Sequence, residues 1–378
     1  MYVTGIGRTR FGVLSESLAQ MAYKAMLKSL EDSGMSVKDL DAIYVANFVA
    51  GPFQSQLHIN SVVSGLIPNT WIPVIRIEAA CAAGGSALYQ ALLSMGRFKN
   101  VMVLGIEKMT GMDAQESARN IAMAGDRTLD QKEGLIFPAS YALAAQQHML
   151  KYGTTTDDLA LVAYKNHKNA NLNPFAHFYE KKIDLMTIKN SPIVCSPLRL
   201  YDCSPISDGA CALILSKNKR TTRDIKVVAS SMSTGCISLA QRKDVTSFKT
   251  VKIAAKEAYS IAGLGPQDID LAEVHDCFTI GELMAMEDLG FCEPGESKDF
   301  LRDGRTDLNG ELPVNTDGGL KADGHPIGAT GVAQIFELVT QLRGEAGKRQ
   351  VEKAETGLAH NIGGIGGTAV IHILSRCE

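Results

Sequence analysis

The sequence predicts an α/β protein made of two similar halves, with a helical insertion in the first. Three observations carry this reading. Strand-like apolar runs alternate with amphipathic helical patterns, the order that builds mixed, mostly parallel sheets covered by helices. The opening pattern then returns. A helix, Gly34, Asp39-Leu40-Asp41 and a strand through Val45 reappear as a helix, Gly263, Asp268-Ile269-Asp270 and a strand through Val274. Gly34 to Gly263, Asp39 to Asp268 and Ala25 to Ala254 all span 229 residues, which marks a duplicated unit. Between the copies, residues 112–200 turn polar and helical, broken at Asn173-Pro174 and Ser191-Pro192. The expected division is 1–111 with 201–224 for the first half, 112–200 for the insertion and 225–378 for the second half.

Composition narrows the class. A chain of 378 residues is long for one core. Its 45% hydrophobic and 21% charged residues are those of a globular protein. A net charge of −3 argues against nucleic acid or an anionic membrane as a partner. No run approaches the roughly 18 apolar residues of a membrane span. The eight cysteines are scattered with no C-x-x-C pair, so no metal site is expected and the thiols are read as reduced. Met1 to Gly7 reads as a strand rather than a signal peptide, and the closing Ser375-Arg376-Cys377-Glu378 is not a peroxisomal address. The expected location is cytoplasmic.

Taken in order, residues 2–7 form a strand. Residues 17–32 form a helix with Leu18, Met21, Ala22, Ala25 and Leu30 on one face. Asp41 to Phe48 is a second strand and Pro73 to Ile77 a third. A helix with Leu88, Leu92 and Met95 on one side follows, then a buried strand from Val101 to Ile106. Cys81 thus falls on the turn where a helix begins. The partial positive charge and free N–H groups there favour thiolate, the nucleophilic form. Gly84 and Gly85 leave room for another segment to approach. The strand pattern resumes from Ala210 to Leu215.

The second half carries chemistry where the first has plain residues. Its strand from Leu271 ends in His275-Asp276-Cys277-Phe278, and reaction sites of open parallel sheets lie beyond the carboxyl ends of strands. His325 sits in Gly324-His325-Pro326-Ile327-Gly328-Ala329-Thr330-Gly331, a glycine-dense loop opening a helix, without the Gly-Lys-Ser/Thr ending of a nucleotide P-loop. The closing His360-Asn361-Ile362-Gly363-Gly364 segment leaves no room for a dinucleotide-binding helix, so no nicotinamide or flavin site is expected. Its backbone N–H groups can serve an oxyanion instead.

These motifs, with Gly105-Ile106-Glu107-Lys108-Met109, Lys165-Asn166-His167 and Ser207-Asp208-Gly209-Ala210, resemble thiolases over nearly the whole chain. The resemblance is nearest to the sterol-carrier-protein type and to archaeal and bacterial acetyl-CoA acetyltransferases. His-Asp-Cys-Phe replaces the Asn-Glu-Ala-Phe of other thiolases, and Asn361 stands in the closing loop where they carry a second cysteine. The resemblance implies that Cys81 takes the acyl group and His325 removes its proton. Cys277 would exchange the α-carbon proton, and His275 would complete one oxyanion hole. The N–H groups of Cys81 and Gly363 would form the other. It implies coenzyme A and acetyl-CoA as substrates with no permanently bound cofactor. A homodimer or a dimer of dimers follows from the same likeness. So does a possible place beside an OB-fold scaffold protein and 3-hydroxy-3-methylglutaryl-CoA synthase. A thiolase-fold retro-aldolase, an acyltransferase on a non-CoA acceptor and an organising subunit are the competing readings. The first is disfavoured by Cys81, because such lyases tend to lack that cysteine. Cys203 and Cys211 are read as packing residues, and His360 stands between a structural and a catalytic role.

Overall fold

The computed structural model describes residues 1–377, and its first unit follows from local chemistry. The helix α1 (Leu18–Ser33) begins on a capping box, Ser17 Oγ accepting from the Gln20 N–H while Gln20 Oε1 accepts from the Ser17 N–H. It ends on Gly34, whose φ of 63° is a left-handed conformation that glycine adopts without penalty. Its buried stripe of Leu18, Met21, Ala22, Ala25 and Met26 packs on the strand β1 (Tyr2–Arg8) and its neighbours. The whole unit recurs 229 residues later, where α9 (Lys249–Ala262) ends on Gly263 at φ 68°. Short 3-10 turns follow both helices, Val37–Asp39 and Pro266–Asp268.

After β1 come β2 (Ala42–Ala46), β3 (Val74–Ile77), β4 (Asn100–Glu107), the short β5 (Ile193–Cys195) and β6 (Leu198–Arg199), and β7 (Gly209–Ser216). The second half supplies β8 (Ile225–Thr234), β9 (Leu271–Glu273), β10 (Thr356–Gly363) and β11 (Thr368–Ser375). Nine strands make one sheet in the order β3-β2-β4-β7-β1-β8-β11-β10-β9, and β5 and β6 form a separate hairpin. The order reads outward the same way from β1–β8 in both directions. Where β3 flanks β2 in the first half, a single parallel bridge joins Ala272 of β9 to Val314.

The sheet is mixed. β2 pairs parallel with β3 and β4, and β9 with β10. The antiparallel share is larger than strand–helix alternation implies, for a topological reason. β7 returns from the insertion beside β4 in the opposite direction, and β11 follows β10 through the tight turn at Gly364 and Gly366.

Of the remaining helices, α2 (Ala50–Gln54), α3 (Ile59–Ser64) and α4 (Ala83–Ser94) belong to the first half. The insertion holds α5 (Ala114–Ile121), α6 (Phe137–Tyr152), α7 (Thr156–Ala170) and α8 (Leu185–Lys189). The second half adds α10 (Thr279–Asp288), α11 (Ser297–Arg302), α12 (Gly319–Ala322) and α13 (Ile327–Leu342). While α1 and α9 each cover strands of their own half, α4 and α13 pack on one another and on strands of both. Every residue of α13 is buried, its polar Glu337 compensated by Arg349 Nη2 at 2.8 Å. Glycines permit the crossing: a Cβ on Gly84 would lie 2.8 Å from the Gly331 Cα. The insertion is pinned to the second half by Lys165, whose Nζ donates to Glu282 Oε1 (2.6 Å) and to the Val314 carbonyl (2.9 Å). Among the described residues, no helix is long and apolar enough to cross a membrane.

Candidate active site

The turn after β3 is unusual backbone. Ala80 holds φ 49°, a region non-glycine residues enter at a cost of about 1–2 kcal/mol. Its N–H donates to Glu78 Oε1 (2.6 Å), and the Ala82 and Ala83 N–H groups donate to the Ala79 and Ala80 carbonyls (3.0 Å each). This sets Cys81 at the start of α4. His275 follows the end of β9, and His325 lies between α12 and α13. The cysteine sulfur and a ring nitrogen of each histidine lie within 4.8 Å of one another, all three residues buried. Beside them opens a pocket of about 190 Å³ whose lining includes Cys81, Cys277, His325 and Gly364, with Ile121 and Phe137 of the insertion among its apolar walls.

Hydrogen bonding assigns the proton on His325. Thr330 Oγ1 donates to the Pro326 carbonyl (3.1 Å), so the 2.7 Å contact between Thr330 Oγ1 and His325 Nδ1 has the imidazole as donor. The lone pair is therefore on Nε2, the nitrogen left for a proton from Cys81. The His325 loop is seated by Ser207, whose Oγ accepts from the His325 N–H (3.4 Å). Asp208 beside it accepts from the Met109 N–H (2.7 Å), the Thr110 N–H (2.9 Å) and Lys108 Nζ (2.7 Å), tying the end of β4 to the same loop.

Burial dominates the electrostatics. It pushes the Cys81 thiol up to about 12, against the N–H groups of Gly364 and of Cys81 itself, with the Glu107 carboxylate pushing the same way as burial. The thiolate expected from the helix terminus is thus not the resting form, because desolvation outweighs the dipole. Burial, and after it the neighbouring Cys81, raises the Cys277 thiol well above its ordinary value. His325 is lowered to about 3 by burial, and His275 well below its usual value by burial and then by His325 and His360. The resting site is neutral, with a free imidazole ready beside a thiol.

The structure brings Cys81, Cys277, His275 and His325 together and places Gly363 just behind them. Gly363 ends β10, where a side chain would strike the Ala79 carbonyl at 2.5 Å, and Gly364, one residue on, lines the pocket. His360 takes a supporting place, its Nδ1 accepting from the His275 N–H (3.3 Å). Three residues escaped sequence reasoning. Cys203, read as packing, lines the pocket. Tyr141 is fully buried in α6, its hydroxyl donating to the Gly364 carbonyl (3.3 Å) and hydrogen-bonded to Cys277. Asn361 bridges the Cys81 turn and His275. Tyr141 lies in no motif, and only its periodicity with Ala144, Ala145 and His148 signals an inward face.

Fold and pocket together are those of a thiol-centred α/β enzyme, its site built where two duplicated halves meet. The chain belongs to the thiolase family: the thiolase N-terminal domain model matches residues 1–219, and the thiolase C-terminal domain-like model matches residues 231–376. It is 48% identical to an acetyl-CoA acetyltransferase of Methanothermobacter thermautotrophicus over 99% of both chains. It is 34% identical to bovine sterol carrier protein 2 over 98% of this chain and 71% of that protein. These relatives agree with the subgroup that the His-Asp-Cys-Phe motif indicates. Among solved structures, the Ltp2-ChsH2(DUF35) aldolase superposes with a TM-score of 0.85 at 26% identity, covering 99% of this chain and 97% of that one.

Proposed function

We propose that this chain is a thiolase that cleaves acetoacetyl-CoA or another 3-ketoacyl-CoA with coenzyme A, and runs the reverse Claisen condensation, through an acyl-Cys81 intermediate. The observation that carries the reading is the convergence of the Cys81 sulfur with His275 and His325 beside an apolar pocket. In thiolysis, His325 Nε2 takes the Cys81 proton as the sulfur attacks the 3-keto carbon. The C2–C3 bond breaks, and the departing enolate of acetyl-CoA takes a proton from the neutral Cys277 thiol. Incoming coenzyme A then gives its proton to Cys277 and attacks acyl-Cys81, which recovers its own proton from His325. Each step needs donors at the oxygen that gains charge. We assign these to His275, to the Cys81 N–H and to a backbone N–H of the Gly363–Gly364 segment. Coenzyme A is a substrate here, and no permanently held cofactor enters the scheme.

The same proposal covers the coarser assignments. The working units are 1–111 with 201–224, 112–200 and 225–378, in a cytoplasmic protein. A homodimer is supported by β3, an end strand of the sheet, where Ile75 is 38% exposed and the neighbouring Trp71 91%. A dimer of dimers, and association with an OB-fold scaffold protein and 3-hydroxy-3-methylglutaryl-CoA synthase, extend it. The similarity to an aldolase structure favours one second reading, a retro-aldolase. Thiolysis of acetoacetyl-CoA by wild type, Cys81→Ala and Cys277→Ala separates the two. The thiolase reading expects wild type to be active, with both variants losing at least about 10³-fold. Carbon–carbon cleavage that needs no coenzyme A and survives Cys81→Ala would replace it with the aldolase.

A further inference from the structure

A cysteine sulfur and two imidazole nitrogens within 4.8 Å of one another are also a donor set that zinc takes. Whether the cluster binds metal or donates hydrogen bonds turns on one proton, that of His275. Asn361, in β10, settles where that proton lies. Its Oδ1 accepts from the Gly85 N–H (3.0 Å), and its Nδ2 donates to the Cys81 carbonyl (3.0 Å). Both partners are backbone groups with fixed roles, so turning the amide over would set N–H against N–H and oxygen against oxygen. The second Nδ2 hydrogen is then left for His275 Nδ1, 3.2 Å away. The Ile362 N–H points at the same nitrogen from 3.5 Å. With donors on that side, Nδ1 must present its lone pair, and the imidazole hydrogen lies on Nε2. That atom is buried and has no hydrogen-bond partner among the described residues. The His275 ring stands edge-on to His325, with centroids 5.3 Å apart. A buried, unpaired N–H is costly to hold at rest and gains a partner only when an oxygen arrives.

We propose that Asn361 is a positioning residue that locks His275 as its Nε2–H tautomer, making the Cys81–His275–His325 cluster a hydrogen-bonding site and barring it from closing on a metal ion. The donor role of His275 rests on the thiolase reading above; the tautomer and the bar to metal do not. Neutral imidazole binds a metal through a lone pair; with Nδ1 taken by the Asn361 and Ile362 N–H groups and the hydrogen on Nε2, His275 has no free lone pair, which leaves only two ligands, Cys81 and His325. Two are too few for a stable zinc site.

The informative substitution is Asn361→Asp. It keeps the shape and the acceptor for Gly85, but turns a carboxylate oxygen towards His275 Nδ1 and towards the Cys81 carbonyl, which loses its donor. The imidazole hydrogen then moves to Nδ1, Nε2 becomes a lone pair, and the carboxylate–histidine arrangement that supports metal ligation is created. Three measurements follow. In ¹⁵N spectra of histidine-labelled protein, with His275 assigned by its loss in His275→Asn, wild type shows the Nε2–H tautomer and Asn361→Asp the Nδ1–H one. In cobalt and zinc titrations, Asn361→Asp binds at least about 10–100-fold more tightly than wild type. In metal-free thiolysis, kcat of the variant falls about 100-fold with KM little changed.

A wild-type His275 carrying its hydrogen on Nδ1 overturns the proposal, and that spectrum needs no variant to fold. Zinc bound as tightly by wild type as by Asn361→Asp overturns the bar to metal. A wild type inactive in thiolysis but showing the Nε2–H tautomer removes the thiolase reading and leaves the lock standing.

Discussion

Two joints in this molecule are copies of one another and have been put to different uses. Met102 of β4 pairs with Ile43, and Leu358 of β10 pairs with Ala272, the residue 229 positions after Ile43. Counting on from these pairs, Gly105 in the first half answers to Asn361 in the second. Each strand end meets the start of the other half's buried helix. At the first joint Gly105 leaves room for α13, since a side chain there would reach the Gly328 carbonyl at 2.5 Å. Glu107 then accepts from the Gly328 N–H (3.0 Å), the Phe48 and Val49 N–H groups (2.8 and 3.1 Å) and Asn47 Nδ2 (2.7 Å). At the second joint Asn361 holds the start of α4 and faces His275. Where β2 ends, the chain reads Ala46, Asn47 and Phe48, whereas the counterparts beyond β9 are His275, Asp276 and Cys277. One joint is a clamp, and the other is a clamp that also carries chemistry. Duplication supplied two scaffolds, and the groups proposed to react come from both, so neither half holds the proposed site alone.

The most direct way to break this symmetry is at the crossing the joints share. A side chain on Gly331 would overlap the Gly85 nitrogen and the Asn361 amide, both fixed by backbone hydrogen bonds. Gly331→Ala is expected to cost about 3 kcal/mol or more and to disturb both joints. Urea denaturation of the purified variant measures it; stability equal to wild type would mean that the helices have slack at their crossing.

A smaller effect separates the clamps. Burial lifts the Glu107 carboxyl from its ordinary 4.5 to about 7, although its backbone donors pull it down. The folded chain therefore holds this proton more tightly than the unfolded one. The contribution of Glu107 to stability is fully present below about pH 4.5 and falls as pH rises through about 7. Glu107→Gln cannot ionise and offers one acceptor oxygen to four N–H donors, so it loses about 1–2 kcal/mol at pH 5. That deficit narrows towards pH 8, which thermal unfolding at several pH values would show. A gap independent of pH would place the titration elsewhere.

How much of this was legible follows from what each feature depends on. The duplication could be read because Gly34 and Gly263 must adopt a left-handed conformation to end their helices, and that demand writes itself into the sequence at a fixed spacing. Cys81, His275, Cys277 and His325 could be read because each sits in a motif at the end of a strand or the start of a helix. The protonation state of Cys81 could not. A helix terminus is visible locally, but the depth of burial that overrides it comes from α13 and the insertion folding over the turn. In the sequence Asn361 is only the residue standing where other thiolases carry a cysteine, because its three partners lie 276, 280 and 86 positions away. The larger antiparallel share of the sheet was hidden for the same reason, since it depends on where β7 lands after a long excursion. Motifs mark what touches substrate, whereas the groups holding those motifs in place are set by tertiary contacts.

Tyr141 tests that last distinction, with the smallest expected effect. It comes from the insertion, which has no copy in the second half, and reaches the site from outside the symmetric pair. Its ring stacks on Phe278 (centroids 4.6 Å, 28°) and stands edge-on to Phe248 (6.4 Å), so Tyr141→Phe preserves the packing. What is lost is the hydroxyl, whose one hydrogen, given to the Gly364 carbonyl at rest, can turn to the Cys277 thiolate and so holds that thiol lower than burial and the neighbouring Cys81 alone would leave it. One hydrogen bond of this kind is worth about 1 kcal/mol, or roughly fivefold in rate. The proton transfer assigned to Cys277 should slow by that factor in both directions. The proposed condensation uses Cys277 as thiolate, so its rise with pH should also shift to higher pH in the variant. Acyl-enzyme formation on Cys81, read with a thioester that has no α-carbon proton to exchange, should be unchanged. If both half-reactions slow equally, Tyr141 acts by shaping the pocket for Cys81 as well, and the insertion supports the nucleophile rather than the acid.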